Sequence, residues 1–154
     1  MIKEYNVIIK DDLPILNIVK KINIDNLNIS LEELIKIIKR YYQYDKLNHE
    51  ESMLACFDNQ SNLIALFKIS IGNHSSCGIY RNIIATNLLL CGARQFVIMH
   101  NHTNGNPLTP SAEDINNYNI IKQLSELLDI QFVDSIIINK DGWYMIGEEE
   151  VFYD

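Results

Sequence analysis

Met99-His100-Asn101-His102-Thr103-Asn104-Gly105-Asn106-Pro107-Leu108-Thr109-Pro110-Ser111-Ala112-Glu113-Asp114 is the stretch around which the chain is organised. The apolar run Phe96 to Met99 ahead of it reads as a short strand buried on both faces. His100 and His102 are two apart, so on a strand they project to the same side. A loop of Asn, Gly and Pro follows, and Ser111 and Asp114 then open a helical pattern. Imidazoles with one carboxylate suit a divalent ion, above all zinc. Three protein ligands, His100, His102 and Asp114, leave a fourth position open, as in a catalytic rather than a structural zinc site. Ser111 would supply a polarising hydroxyl. Ser111-x-x-Asp114 is also an ordinary helix start, with Ser111 as N-cap and Asp114 at the positive end of the dipole. What lifts the set above its fragments is its place just past the carboxyl end of a buried strand, where α/β sheets carry their sites.

Outward from this stretch, the pattern is one of alternating strands and helices. Tyr5 to Lys10 alternates as a strand, and Asp11-Asp12-Leu13-Pro14 breaks it. Residues 15 to 29 receive no assignment. Ser30-Leu31-Glu32-Glu33 is a capping box, and Leu31, Leu34, Ile35, Ile38, Tyr41 and Tyr42 give one apolar helix face to about Tyr42. Glu50 to Phe57 and Leu63 to Ser70 flank the dense turn signal Asp58 to Asn62, which predicts an antiparallel hairpin. After a small-residue loop, Gly72 to Gly78, the segment Ile79 to Cys91 has helical spacing with Gly92 as its C-cap. In the helix from Ser111, the residues Ile115, Tyr118, Ile121, Leu124, Leu127 and Leu128 form the expected buried stripe. Phe132 to Asn139 and Trp143 to Ile146 are the closing strands, and the acidic Gly147 to Glu150 tail is expected to fray. The fold class is α/β, a mixed sheet flanked by helices in a three-layer-like arrangement.

At 154 residues, 47% hydrophobic and 21% charged, the chain fits one globular domain. The formal net charge of −7 argues against direct binding to nucleic acid or to acidic membranes, because phosphates would be repelled. Three cysteines, Cys56, Cys77 and Cys91, follow no metal-site spacing and read as reduced thiols, which places the chain in the cytoplasm. Met1-Ile2-Lys3-Glu4 carries charge at once and offers no apolar signal segment. No run nears the roughly 20 apolar residues of a membrane span.

His100-x-His102, a short loop and Ser111-x-x-Asp114 together resemble the signature of the JAB/MPN metalloprotease domain, the JAMM motif. His100-Asn101-His102 with Gly105 and Pro110-Ser111 is most similar to the RadC-like branch. The resemblance covers about residues 45 to 146 and leaves an N-terminal strand and helix, 1–44, as an extension within a single 1–154 domain. It implies a mixed sheet between helices, similar in outline to cytidine deaminases. It implies a zinc-dependent hydrolase that cleaves a peptide or isopeptide amide with metal-activated water, acting on a peptide or protein substrate. It also implies a glutamate on an earlier strand that deprotonates this water. Glu50 and Glu51 are the adjacent candidates, and Glu50 is the choice because it lies eight residues before Asp58 of the hairpin turn. His49 then reads as an exposed strand entry, while the family places His74 and Cys77 near the site.

The chain departs from the branch at named positions. Thr103-Asn104-Gly105 replaces the usual Pro-Ser-Gly, one extra residue lies between His102 and Ser111, Ser135 follows Asp134 where histidine is common, and Asn82 follows Arg81 in place of glutamate. These departures keep a second expectation open: a catalytically relaxed, metal-binding interaction module, linked to DNA repair or mobile elements. The sequence leaves the substrate and the oligomeric state open.

Overall fold

The computed structural model describes residues 1–71 and 80–154. His74, Cys77 and the rest of the Gly72 to Gly78 loop lie outside the described residues. The chain forms strands β1 (Ile2–Lys10) and β2 (Leu13–Ile22), helix α1 (Leu31–Tyr42), strands β3 (Glu51–Phe57) and β4 (Leu63–Ile71) and helix α2 (Arg81–Cys91). Strand β5 (Gln95–Asn101), helix α3 (Ala112–Leu128) and strands β6 (Gln131–Ile138), β7 (Gly142–Met145) and β8 (Glu150–Tyr153) follow. All eight strands join one sheet in the order β2-β1-β4-β3-β5-β6-β7-β8. β1 runs parallel to β4 and β5 parallel to β6, while the other neighbours are antiparallel. The sheet is therefore mixed, as expected.

Local chemistry explains several boundaries. Ser30 accepts from Glu33 N at 3.2 Å while Glu33 accepts from Ser30 N at 2.8 Å, the reciprocal pair that starts α1. Asp58 Oδ1 accepts from the amides of Gln60 and Asn62 at 2.8 and 2.9 Å and shapes the β3–β4 turn. Gly92 takes a left-handed φ of 72° and ends α2.

The sheet divides the apolar residues by parity. On one face, Leu34, Ile35 and Ile38 of α1 pack on Met53, Ala55, Phe57, Val97 and Met99. On the other, Ile84 and Leu88 of α2 and Ile121 of α3 pack on Leu54, Cys56, Phe67, Phe96 and Ile98. Every residue of β3 is buried, because helices cover both faces of the central strands. The result is three layers: α1, the sheet, then α2 with α3.

Two expectations require correction, and one open stretch gains a structure. The stretch left unassigned from residue 15 begins with a strand: Asp11 and Asp12, with φ of 51° and 64°, form a two-residue turn that folds β2 back on β1. Pro14 is tolerated there because β2 is the sheet edge. The stripe on α3 is narrower than its spacing implies. Ile121 is buried with Leu124 and Leu128 against it, but Leu127 is 83% exposed and Ile115 is also exposed. Each lies six residues from Ile121, which at 3.6 residues per turn puts it about 120° round the helix. Lastly, the acidic tail does not fray. Glu150–Tyr153 pairs with β7, and Phe152 stacks on Trp143 with ring centroids 4.1 Å apart. No helix among the described residues is long and apolar enough to cross a membrane.

Gly142 makes the β7–β8 pairing testable. A Cβ there would lie 2.0 Å from the Phe152 carbonyl oxygen, so Gly142→Ala must push the strands apart. The expected loss, read by urea unfolding, is about 1–3 kcal/mol, the usual cost of overpacking. An unchanged midpoint would show that β8 does not contribute to stability.

Candidate metal centre

The site is built where β5 ends. Phe96, Ile98 and His100 alternate onto the α3 side of the sheet, and His102 follows one step past the strand. His102 N donates to Ile138 O at 2.8 Å, which extends the β5–β6 pairing and keeps the second histidine in line with the first. The chain then turns away. Asn106 N donates to Thr103 O at 3.0 Å, and Gly105 takes a φ of 93° that favours glycine. Leu108 is buried against Ile137 and Ile146 and anchors the loop to the sheet. With the loop closed by this turn, Asp114 still reaches the histidines.

Ser111 is the N-cap of α3. Its Oγ accepts from Asp114 N at 3.1 Å, and Asp114 Oδ2 accepts from Ser111 N at 2.8 Å. This capping box turns the carboxylate back over the helix start, toward the histidines. His100 Nε2 lies 3.1 Å from Asp114 Oδ1, His102 Nε2 lies 3.1 Å from Asp114 Oδ2, and the two Nε2 atoms are 3.2 Å apart. His100 and His102 are buried and Asp114 is half-buried. Among the described residues this is the one such group of three metal-capable side chains.

The protonation state of His102 sharpens the geometry. Its Nδ1 bonds to the carbonyl oxygen of Pro107, which can only accept, so Nδ1 carries the proton. In the neutral ring, Nε2 then presents a lone pair toward a carboxylate oxygen and a second imidazole nitrogen. Electron-rich atoms this close repel unless a cation lies among them. A metal does this well: zinc ligands at about 2.0–2.1 Å in a tetrahedron are separated by roughly 3.3 Å, close to the spacing here. The residues present therefore fit a divalent metal. The Pro107 carbonyl is the outer partner that ligating histidines usually have.

The surroundings tune the carboxyl groups in opposite directions. Burial opposes the charge of Asp114, but with the rings protonated and no metal bound, hydrogen bonds from His100 and His102 outweigh it and hold the carboxyl far below the usual carboxylate range. Burial likewise opposes the charged form of His102, yet Asp114 and Pro107 lift its pKa above the ordinary imidazole value. Glu50 is 4% exposed, and burial raises its carboxyl pKa although His100 and His102 pull it down. The charges of Asp114 and Glu113 add to the upward push on Glu50.

Glu51 goes the other way. Its carboxylate meets His49 Nε2 at 2.9 Å and Lys68 Nζ at 3.3 Å. The register explains the difference: Ser52 pairs with His100, so residues of even number on β3 share its face and those of odd number do not. His49 is only partly exposed at the strand entry and holds Glu51. Arg81 and Asn82 are exposed at the start of α2. Ser135 lines a cavity of about 20 Å3 with Ser52, His100, Asp114, Asn117 and Tyr118, room for about one water.

Sequence reasoning missed the Pro107 carbonyl and the Asn101 side chain. Asn101 is fully buried and bonds Glu51 N at 2.7 Å and His49 O at 2.8 Å. A carbonyl contact leaves no mark in residue type. Asn101 does carry one signal, its position between the two histidines.

A His-x-His strand end facing an aspartate on a helix N-terminus, under a mixed three-layer sheet, defines a JAB-type architecture. The chain belongs to the RadC-like JAB domain family, whose model matches residues 29–151. It is 32% identical over 114 residues to a UPF0758 protein of Histophilus somni, covering 73% of this chain and 51% of that one. It is 34% identical over 116 residues to a UPF0758 protein of Haemophilus ducreyi, covering 73% and 51%. It is 27% identical over 119 residues to one of Thermotoga maritima, covering 77% and 53%. The chain spans about half the length of these curated relatives.

The Pro107 contact predicts the tautomer of His102. In long-range proton–nitrogen NMR spectra above the imidazole titration, the neutral ring should carry its proton on Nδ1. A ring protonated on Nε2 would contradict this geometry.

Proposed function

We propose that this chain is a zinc-dependent amide hydrolase acting on a peptide or isopeptide bond. The observation that supports this best is the meeting of the His100, His102 and Asp114 ligand atoms at 3.1–3.2 Å, with the His102 lone pair turned inward by Pro107. His100 Nε2, His102 Nε2 and one Asp114 oxygen would hold the metal. Once bound, zinc supplies a Lewis acid that lowers the pKa of water towards about 7.

The chain's own groups do the rest. Glu50, buried beside the ligands with raised proton affinity, takes a proton from the attacking water and later delivers it to the leaving amine. Ser111 Oγ accepts from the Asp114 amide, which leaves the hydroxyl proton to donate to the oxyanion. Asp114 stays anionic throughout, because the Ser111 amide and the cation it would hold both favour the charged form. An amide substrate matches this division of labour, since its nitrogen must be protonated before it leaves.

Metal analysis tests the reading directly. The chain should bind about one zinc, as three-ligand sites do. His100→Ala or His102→Ala should weaken zinc by more than the roughly 10–100-fold that loss of an outer-shell partner costs. Glu50→Gln should keep zinc but lower hydrolysis in a peptide and isopeptide library by about 100- to 10,000-fold. Failure of the native chain to take up added zinc would sink the proposal. So would a Glu50→Gln variant as active as the native chain.

A further inference from the structure

We propose that Asn101 is a positioning residue that fixes the Glu50 carboxylate relative to the metal ligands, an assignment that rests on the proton-carrying role given to Glu50 above. Asn101 lies between His100 and His102, yet its side chain leaves the opposite face of β5, on the α1 side of the sheet. There it is fully buried. Its Oδ1 accepts from Glu51 N at 2.7 Å and its Nδ2 donates to His49 O at 2.8 Å. The partners set this orientation of the amide, because an N–H needs an acceptor and a carbonyl needs a donor.

These two backbone groups belong to the two peptide planes that flank Glu50. Peptide planes are rigid, so holding both fixes φ and ψ at the α-carbon between them. The direction of the Glu50 Cα–Cβ bond is then fixed as well. Glu50 needs such a hold, because it precedes the first residue of β3 and the β3–β5 pairing stops at Ser52 opposite His100. One side chain thus takes over where the ladder ends. It comes from the same strand as both histidines, so the reference point for Glu50 is the ligand pair itself.

The neighbouring carboxylate supports the same reading. Glu51 is tied to His49 and Lys68 on the α1 side, which prevents the two glutamates from exchanging faces. Residue type matters too. The position calls for one acceptor and one donor in a planar fork, which asparagine supplies. Aspartate would keep the acceptor for Glu51 N but face the His49 carbonyl with an oxygen. Alanine would supply neither.

The test uses the full chain as native protein, Asn101→Ala and Asn101→Asp, with and without zinc. Chelator competition reads zinc affinity, NMR reads the His100 and His102 ring nitrogens and the Glu50 side-chain carboxyl carbon, and amide exchange reads Glu51 N–H. In the native chain, zinc should shift the ring nitrogens and the Glu50 carbon together. Asn101→Ala should keep zinc affinity within about 10-fold, the mild end for loss of an outer partner. Its ring nitrogens should still shift, but the Glu50 response should collapse and Glu51 N–H should exchange at least 10-fold faster. Asn101→Asp should keep Glu51 N–H protected while weakening the Glu50 response, which separates the two halves of the clamp even if the alanine variant folds poorly. A lowered melting temperature with an intact Glu50 response in both variants would make Asn101 a packing residue only and overturn the assignment. Native ring nitrogens that ignore zinc would instead overturn the metal reading on which it rests.

Discussion

The pairing of Ser52 with His100 is the contact on which the rest of this molecule depends. Side chains alternate along a strand, so this one register decides every neighbour on β3 and β5 at once. It sends Ser52, Leu54 and Cys56 to the face that carries His100. It sends Glu51, Met53, Ala55 and Phe57 to the face under α1. A slip of one residue would bury Glu51 beside the histidines and exchange two apolar sets between two cores of different shape. Because both faces of the central strands are packed, the slip is opposed twice. The precision of the site is thus inherited from ordinary packing several residues away.

Two carboxyl groups from similar residues are driven apart by their surroundings. Asp114 faces both imidazoles and accepts from Ser111 N at the positive end of α3, and its charge is strongly favoured. Glu50 is buried, and its neutral form gains. Opposed carboxyl groups of this kind permit distinct roles, one fixed as an anion and the other able to hold and release a proton. The difference comes from surroundings alone.

The elements legible in the sequence are those written in local chemistry. The Ser30–Glu33 box, the Asp58 turn and the Gly92 cap each act over a few residues, so spacing announces them. The parts that escaped have non-local causes. β2 pairs through Asp11 and Asp12 in left-handed conformations without glycine, and its edge position permits Pro14 and several exposed apolar side chains. β8 reads as an acidic tail until Phe152 finds Trp143. On α3 the recurrence at three and four fits two stripes, and only the sheet selects between them. At the site, His100, His102 and Asp114 were readable from type and spacing. Parity turns Glu51 away from the histidines once the register is known. The hold that Pro107 exerts on His102 runs through a carbonyl and is invisible in any residue pattern.

The capping box at the start of α3 has a consequence for how such a site would decay. Asp114 answers to two demands, since it closes the helix start with Ser111 and meets the two histidines. A lineage that lost the chemistry would still gain from an aspartate there, because the helix would still need its end satisfied. The histidine pair has no comparable second employment. Two buried imidazoles with nitrogens turned on each other are a liability for a fold that does nothing with them. A fold that made no use of the site would therefore gain more from replacing His100 or His102 than from replacing Asp114.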